Sequence, residues 1–261
     1  MHAALWISKT GLTAQDTKLN TISNNLANVG TTGFKRDRAV FQDLMYQIKS
    51  QPGGQSSQDT TLPSGLQQGT GVRTVATQKI FSPGNLQVTE QPLDVAVNGR
   101  GFFQILMPDG SIGYTRDGQF QVDSGGQMVT SSGYALQPAM TIPSTASSVT
   151  IGADGIVSAM DSATGTISQV GQLQLADFVN PAGLQAVGGN LFKETTASGA
   201  VSSGNPGLNG IGSVLQGSLE NSNVNVVEEL VTMIATQRAY EMNSKVISTV
   251  DQMLQYVSQN L

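Results

Sequence analysis

The stretch that decides the fold is 225–261, NVVEELVTMIATQRAYEMNSKVISTVDQMLQYVSQNL, which predicts one long helix. Asn225 can cap this helix, and Glu228 and Glu229 place negative charge near the positive end of the helix dipole. Neither Pro nor Gly occurs in the stretch. About 35 residues can therefore form a rod of roughly 50 Å.

The apolar residues of this predicted helix fall into two lines. The first advances by three or four residues, which keeps it on one face of a helix; its members are Val227, Val231, Ala235, Ala239, Met242, Val246, Val250, Met253 and Val257. The second advances by seven residues, the spacing of supercoiled helices; its members are Val226, Met233, Tyr240, Ile247, Leu254 and Leu261. One partner helix covers one line, so we expect packing on two sides, from the same chain and from another molecule.

A second helix is predicted for 3–29, where Leu5, Leu12, Leu19 and Leu26 lie seven residues apart. Gly30 is placed to end it in the left-handed conformation. Pairing the two ends of the chain is the economical way to bury their apolar faces, since helices in water are stabilised mainly by packing. The residues expected to form the helical seams that support assembly are Leu5, Leu12, Leu19, Ile22, Leu26, Leu230, Ile234, Tyr240, Ile247 and Leu254.

The predicted fold class is α+β, with long N- and C-terminal helices paired as a coiled-coil-like unit and a mainly-β domain inserted between them. We expect 1–36 to pair with 222–261, and the C-terminal helical domain is taken as 219–261. Residues 37–71 form an extended connecting segment, and 72–218 form the β domain. Short apolar runs separated by turn sequences such as Pro108-Asp-Gly-Ser111 indicate the strands.

Two local expectations concern the middle of the chain. Val95 and Val97 alternate with Asp94, Ala96 and Asn98, which predicts a strand with one face in water. Residues 50–71 are polar and rich in Gly and Pro. Their composition favours a flexible linker, with an extended course along another surface left open.

Composition argues against several classes of function. Charged residues make up 12% of the chain, about half the usual share of about 25%, and the net charge is −5 without a basic run, which disfavours nucleic acid as a partner. Cys is absent and His2 is the only histidine, so we expect no metal site and no cofactor. Each of Asp109, Asp117, Asp123 and Asp154 stands beside or near a Gly, where an aspartate in a turn is typical.

The sequence also lacks the nucleotide-binding and hydrolase loops that an enzyme of the common classes would carry. We therefore expect no catalytic residue and no enzyme. The alternative from another class is a secreted β domain that binds or cleaves glycans through its turn aspartates. No apolar window is long enough to span a membrane, and the N-terminus does not have the pattern of a cleavable signal peptide.

Four strings resemble one protein family. Ser23-Asn-Asn-Leu-Ala-Asn-Val-Gly-Thr-Thr-Gly-Phe-Lys35 resembles the N-terminal signature of bacterial flagellar rod and hook proteins, and Met233-Ile-Ala-Thr-Gln-Arg-Ala-Tyr-Glu-Met-Asn-Ser-Lys245 resembles their C-terminal one. Pro92-Leu-Asp-Val-Ala-Val-Asn-Gly-Arg-Gly-Phe-Phe103 and Tyr114-Thr-Arg-Asp-Gly-Gln-Phe120 are similar to their shared β-domain motifs. The signature positions are Asn24, Asn25, Asn28, Gly33, Phe34, Gln237, Arg238 and Tyr240.

Within the family, residues 46–84 resemble members that form the distal rod rather than the hook or proximal rod, which stay as alternatives. The positions that carry this likeness are Leu62, Pro63, Gly65, Leu66, Gly69 and Gly71. The resemblance implies that this segment is ordered against neighbouring subunits and stiffens a straight tubular shaft that transmits torque from the motor to the hook.

The resemblance also implies a location and a set of partners. It implies export through the flagellum's own apparatus without a cleaved signal peptide, and a place in the basal-body rod that crosses the periplasm. The implied partners are further copies of the chain, proximal rod proteins, the hook protein, the surrounding rings, the rod cap and the export apparatus.

Overall fold

The computed structural model describes residues 2–53, 55–57, 60–61 and 63–259. Helices lie near both ends of the chain and a mainly-β region lies between them, as the α+β prediction requires. The chain divides into two compact units. The helix–hairpin unit comprises Met1–Leu26, Asp37–Gln78 and Asn225–Leu261, and the β unit comprises Ala27–Arg36 and Lys79–Val224.

The described residues contain two α-helices, α1, His2–Ala27, and α2, Val226–Gln259, and a short 3-10 helix at Pro181–Gly183. The predicted cap of α2 is confirmed, because the Asn225 Oδ1 accepts hydrogen bonds from the backbone N–H groups of Val227 (3.1 Å) and Glu228 (3.4 Å). The expectation for Gly30 is wrong. Helix α1 ends three residues earlier, and the left-handed glycine after it is Gly33, with φ of +68°.

The strands of the helix–hairpin unit lie between the two helices in sequence. They are β1 Asp37–Asp43, β2 Tyr46–Ser50, β3 Gln55–Ser57, β4 Thr60–Thr61, β5 Leu66–Gly69 and β6 Val72–Lys79. The last residue of β6, Lys79, belongs to the β unit. Strand β1 pairs with β6, β2 pairs antiparallel with β5, and β3 pairs antiparallel with β4. The described part of 50–71 therefore forms paired strands, not the flexible linker that its composition favours. Its polar backbone groups find partners across the hairpin even though few apolar side chains are available to bury.

The β unit contains sixteen strands: β7 Leu86–Val88, β8 Val95–Asn98, β9 Phe102–Leu106, β10 Ile112–Thr115, β11 Phe120–Val122, β12 Met128–Thr130, β13 Leu136–Gln137, β14 Ala146–Ile151, β15 Ile156–Asp161, β16 Ile167–Gln172, β17 Leu175–Asp177, β18 Gln185–Gly188, β19 Leu191–Lys193, β20 Ser202–Gly204, β21 Ser213–Gln216 and β22 Ser218–Glu220. The largest sheet has the order β18-β19-β10-β9-β17-β20, and β13 also pairs with β9. A three-stranded sheet, β14-β15-β16, and the pairs β21-β8, β22-β7 and β11-β12 complete the unit.

Strand β9 is buried on both faces. Its residues from Phe102 to Ile105 are all buried, and successive side chains of a strand point in opposite directions. Phe103 and Ile105 belong to the larger apolar cluster, together with Val95, Leu173 and Val214. Phe102 belongs to a separate aromatic cluster in which ring centroids of neighbouring residues lie 4.8–6.2 Å apart in edge-to-face geometry. Such aromatic contacts stabilise beyond the area that they bury.

Strand β8 differs from its prediction. Ala96 was expected in water, yet it is as fully buried as Val95. Both faces of the strand are covered, and a small apolar side chain fits a covered face as well as an exposed one. The backbone of Gly118 also approaches this strand closely, since a Cβ at that position would lie 1.6 Å from the Val95 carbonyl oxygen.

Candidate assembly surface

Helices α1 and α2 are in contact and run antiparallel. The Asn25 Nδ2 lies 3.3 Å from the Glu229 Oε1, and a Cβ at Gly11 would lie 3.2 Å from the Asn243 Nδ2. The two contacts lie fourteen residues apart along α1, about 21 Å at 1.5 Å per residue, and fourteen residues apart in the opposite direction along α2.

The buried side chains of the two helices are largely polar. Asn25 and Glu229 are buried, and one helical heptad further along α2 Thr236 is also buried. The Asn25 side chain also pairs with the backbone of Asp37, as a neighbouring strand would. Its Nδ2 donates to the Asp37 carbonyl at 2.9 Å, and its Oδ1 accepts from the Asp37 N–H at 2.8 Å. The signature residue Asn25 therefore fixes the start of β1 beside α1 as well as contacting α2.

The first apolar line of α2 remains largely exposed. Val227 is 70% exposed, Val231 is 62% exposed and Met242 is 64% exposed. We call the exposed members of this line the outer stripe. They are Val227, Val231, Ala235, Met242, Val246, Met253 and Val257. A contiguous exposed apolar surface of this kind is typical of an interaction site.

The predicted seam residues are distributed over buried and exposed positions. Ile22 is buried, and Leu5, Leu12, Leu19, Leu26, Ile247 and Leu254 are half-buried. Leu230, Ile234 and Tyr240 are exposed, and so are the signature residues Gln237 and Arg238. Together with the outer stripe, the exposed members give α2 apolar side chains on the sides that α1 does not cover.

The rod-type segment presents apolar side chains on the β2–β5 hairpin. Tyr46, Ile48 and Leu66 are each more than half exposed, and Met45 just before the hairpin is 86% exposed. Pro63 and Gly65 precede β5, Gly69 ends it and Gly71 follows it. Leu62 lies outside the described residues.

A buried cluster of charged side chains was not predicted from the sequence; it is formed by Lys35, Arg116 and Glu220. Lys35 Nζ lies 2.5 Å from Glu220 Oε1, Arg116 Nη1 lies 3.4 Å from Glu220 Oε2, and all three side chains are at most 4% exposed. Burial lowers the pKa of Lys35, and the Glu220 carboxylate opposes that shift. Lys35 and Arg116 are cations within otherwise weakly charged signature strings, which is the only signal that could have indicated the cluster.

Gly33 shows why its signature requires glycine. Besides its positive φ, a Cβ there would lie 2.6 Å from the Asp117 backbone nitrogen, and its own N–H donates to the Glu220 carbonyl at 2.7 Å. The neighbouring Phe34 is buried, and the Lys79 Nζ lies over its ring, 5.2 Å from the ring centroid. In the same turn Asn28 accepts a hydrogen bond from the Thr31 hydroxyl, while Asn24 is exposed.

The four turn aspartates occupy the turns that the sequence predicts. Asp109 accepts from the N–H of Ser111, Asp117 from that of Gln119, and Asp154 from that of Ile156. Asp123 accepts from the N–H of Ser124. The turn interpretation of these carboxylates is confirmed, and they act as local backbone acceptors.

Asp117→Asn is expected to increase stability more at pH 7 than at pH 3.5. Burial raises the pKa of Asp117 above its usual range, against hydrogen bonds from Gln119 and Thr32. A raised pKa in the folded state favours folding below the usual aspartate pKa of about 3.9, and this contribution is lost as pH rises through the folded-state pKa. Asparagine can still accept both hydrogen bonds without a charge. Urea unfolding at the two pH values measures the difference.

Asp109→Asn is the control with the opposite sign, because hydrogen bonds from Ser111 lower the pKa of Asp109. Stability contributed by this group is present above the usual aspartate pKa and is lost as pH falls through the lowered folded-state pKa. The Asp109 variant should therefore lose stability at pH 7 relative to low pH. Equal pH profiles for both variants would contradict the assignment.

Two kinds of feature are absent from the residues that the structure describes. No group of three or more His, Cys, Asp and Glu side chains is arranged to hold a metal ion. Within the same residues, neither helix combines the length and apolar character that crossing a bilayer requires.

Comparison with known protein families gives three matches along the chain. Residues 5–35 match the family "Flagella basal body rod protein", residues 96–159 match "Flagellar hook protein FlgE/F/G D1 domain", and residues 215–260 match "Flagellar basal body rod FlgEFG protein C-terminal". The first match covers α1 from Leu5 onward, the last contains all of α2, and the second runs from Ala96 in β8 to Ala159 in β15.

Full-length similarity is found with curated relatives. The flagellar basal-body rod protein FlgG of Buchnera aphidicola subsp. Schizaphis graminum is 60% identical over 99% of this chain and 100% of the relative. The protein of the same description from Borreliella burgdorferi is 48% identical, covering 97% of each chain. The flagellar hook protein FlgE of Helicobacter pylori is 42% identical, but the match covers only 52% of this chain and 19% of that protein.

Proposed function

Because the chain belongs to the flagellar basal-body rod protein family and is a structural subunit of the distal rod, we propose that it polymerises into a straight, rigid tube that transmits torque from the motor to the hook. The observation that carries this proposal is the outer stripe of α2. Its apolar side chains have no partner surface on α1, and a second copy of the chain offers the same helices.

The mode of polymerisation follows from symmetry. A contact between two different surfaces of identical subunits propagates into a ring or a helical polymer. We propose that α1 and α2 act together as a coiled-coil-like column and that outer stripes pack on the columns of neighbouring subunits. Burial of each side chain of Val or Met size would stabilise the contact by about 1.5–3 kcal/mol.

The proposed folding units are 1–36 with 222–261, 37–71, and 72–218. The structure groups 37–78 with the helices, which supports a view of the hairpin as part of the assembly surface. In this view the β domains contact one another laterally and resist twist, while the helical columns carry axial order.

The proposed partners are those of a segment within a continuous shaft. They are further copies of the chain, the proximal rod proteins, the hook protein, the surrounding rings, the rod cap and the export apparatus. The proposed location is the part of the rod that crosses the periplasm, reached by flagellar export without a cleaved signal peptide. A structural role of this kind requires no cofactor.

The β2–β5 hairpin is proposed to stiffen the polymer. Replacing residues 51–65 by Asn-Gly leaves strands β2 and β5 joined by a two-residue turn, which suits the observed pairing of Ser50 with Leu66. We expect cells that carry this variant to assemble curved or flexible rods, because the part of the segment beyond the retained strands can no longer contact neighbouring subunits. Electron cryotomography of purified basal bodies measures rod curvature.

The control replaces the exposed turn 162–166 between β15 and β16 by the same Asn-Gly pair. Rods of this variant should stay straight, since the turn belongs to the β unit and not to the hairpin. Straight rods from both variants would remove the stiffening role of the hairpin while leaving polymerisation untouched.

A further inference from the structure

Three segments by which the chain enters and leaves the β unit lie side by side within that unit: Gly33–Arg36, Lys79–Gly84 and Glu220–Val224. The Ile80 N–H donates to the Arg36 carbonyl at 2.9 Å, which joins the first segment to the second. The Gly33 N–H donates to the Glu220 carbonyl at 2.7 Å, which joins the first to the third. The three segments therefore form one hydrogen-bonded group.

The Asn223 side chain links all three segments. Its Oδ1 accepts from the Arg36 N–H at 2.7 Å, and its Nδ2 donates to the Ile80 carbonyl at 2.8 Å and the Ser82 carbonyl at 3.2 Å. A carboxamide offers one acceptor and two donor hydrogens. Every hydrogen-bonding group of Asn223 is thus used in holding the segments together.

Glu220 makes a second link, deeper in the unit. Its Oε1 accepts from Lys35 Nζ at 2.5 Å and from the Gly84 N–H at 2.8 Å, and Lys35 also donates to the Ser82 carbonyl at 2.9 Å. The bonds that involve the carboxylate or the ammonium are charge-assisted, and they lie away from water, where such bonds are strong. Residues from all three segments again take part.

We propose that Asn223 and Glu220 are positioning residues that give the rod its torsional stiffness, an inference that rests on the proposed torque-transmitting function. A single extended chain segment can twist, because each of its residues has two backbone dihedral angles that rotate easily. Three chain segments linked to one another at two levels cannot turn independently, so twist is transmitted through the group as a whole. We call the residues of these links, Lys35, Arg36, Ile80, Ser82, Gly84, Glu220 and Asn223, the clasp.

Hydrogen exchange on the full-length chain tests the clasp before assembly is considered. In Asn223→Ala we expect the Arg36 amide to exchange at least tenfold faster, because its acceptor is removed, while the amides of strand β9 keep their protection. Asn180→Ala is the matched control, since the Asn180 Nδ2 donates to a single carbonyl, that of Ala197, at the surface of the same unit. Unchanged exchange at Arg36 would overturn the proposal.

Rod shape tests the mechanical consequence. In cells that carry Asn223→Ala as their only copy, we expect rods in normal number whose curvature fluctuates at least twofold more widely in electron cryotomography, and slower swimming in viscous medium. Val214→Ala, a change in the buried core, provides a variant destabilised without loss of the clasp. Rods of normal stiffness from Asn223→Ala, or equally bent rods from Val214→Ala at matched stability, would refute the positioning role.

Failure of this inference can be separated from failure of the proposed function. If the unaltered chain forms no rod, the proposed function fails whatever the variants do. If Asn223→Ala is poorly folded, Asn223→Ser replaces it, since a hydroxyl is polar but has one donor hydrogen where the carboxamide has two. Normal rods from a folded Asn223→Ser chain with fast exchange at Arg36 would then count against the clasp alone.

Discussion

The double substitution Val231→Glu with Met242→Glu is expected to abolish rod formation while leaving the single chain folded. The two side chains are 62% and 64% exposed on the outer stripe, so the change adds charge to a surface already in water. Assembly would bury both charges without partners, at a cost of several kcal/mol for each. Since 1.4 kcal/mol is a factor of ten in an equilibrium constant, the loss of association should exceed a thousandfold.

Two measurements check this expectation. Sedimentation velocity of the purified chain should show monomers at concentrations where the unaltered chain polymerises, and far-UV circular dichroism should be unchanged. Gln252→Glu with Gln255→Glu is the control, because it adds the same charge to exposed positions of α2 outside the outer stripe. Motile cells from the Val231 and Met242 variant would exclude the outer stripe as an assembly contact.

Glu220→Gln is expected to lower the free energy of unfolding by about 3–5 kcal/mol, the usual cost of breaking a buried ion pair. The substitution keeps the size of the side chain and removes its charge. Lys35, a fully buried cation, then has no counterion among the described residues, and the buried Arg116 keeps only the Coulombic attraction of Asp177. Urea unfolding followed by circular dichroism measures the change.

The control for this variant is Lys193→Met. Lys193 lies 3.5 Å from Asp109 in an exposed pair, and exposed pairs contribute at most about 1 kcal/mol. Adding Lys35→Met to Glu220→Gln should cost less than the sum of the single changes, because residues of one network are coupled. Additive losses would show that Lys35 and Glu220 do not stabilise each other.

The sequence by itself determined the elements whose cause is local. The cap at Asn225, the length of α2 without Pro or Gly, and the turn geometry of Asp109, Asp117 and Asp154 depend on neighbouring residues and were predicted correctly. The two apolar lines of α2 also follow from its period alone. Their spacing indicated that one helix partner could not cover both.

Only the tertiary structure decided features that depend on residues far apart in the chain. The left-handed glycine after α1 is Gly33 and not Gly30, because the backbone at 33 must approach Asp117 and Glu220. Ala96 is buried together with Val95 and Val97, so both faces of β8 are covered by residues outside the strand. Lys35, Arg116 and Glu220 meet although up to 185 residues separate them, and no periodicity along the chain records a pairing of single residues over such a distance.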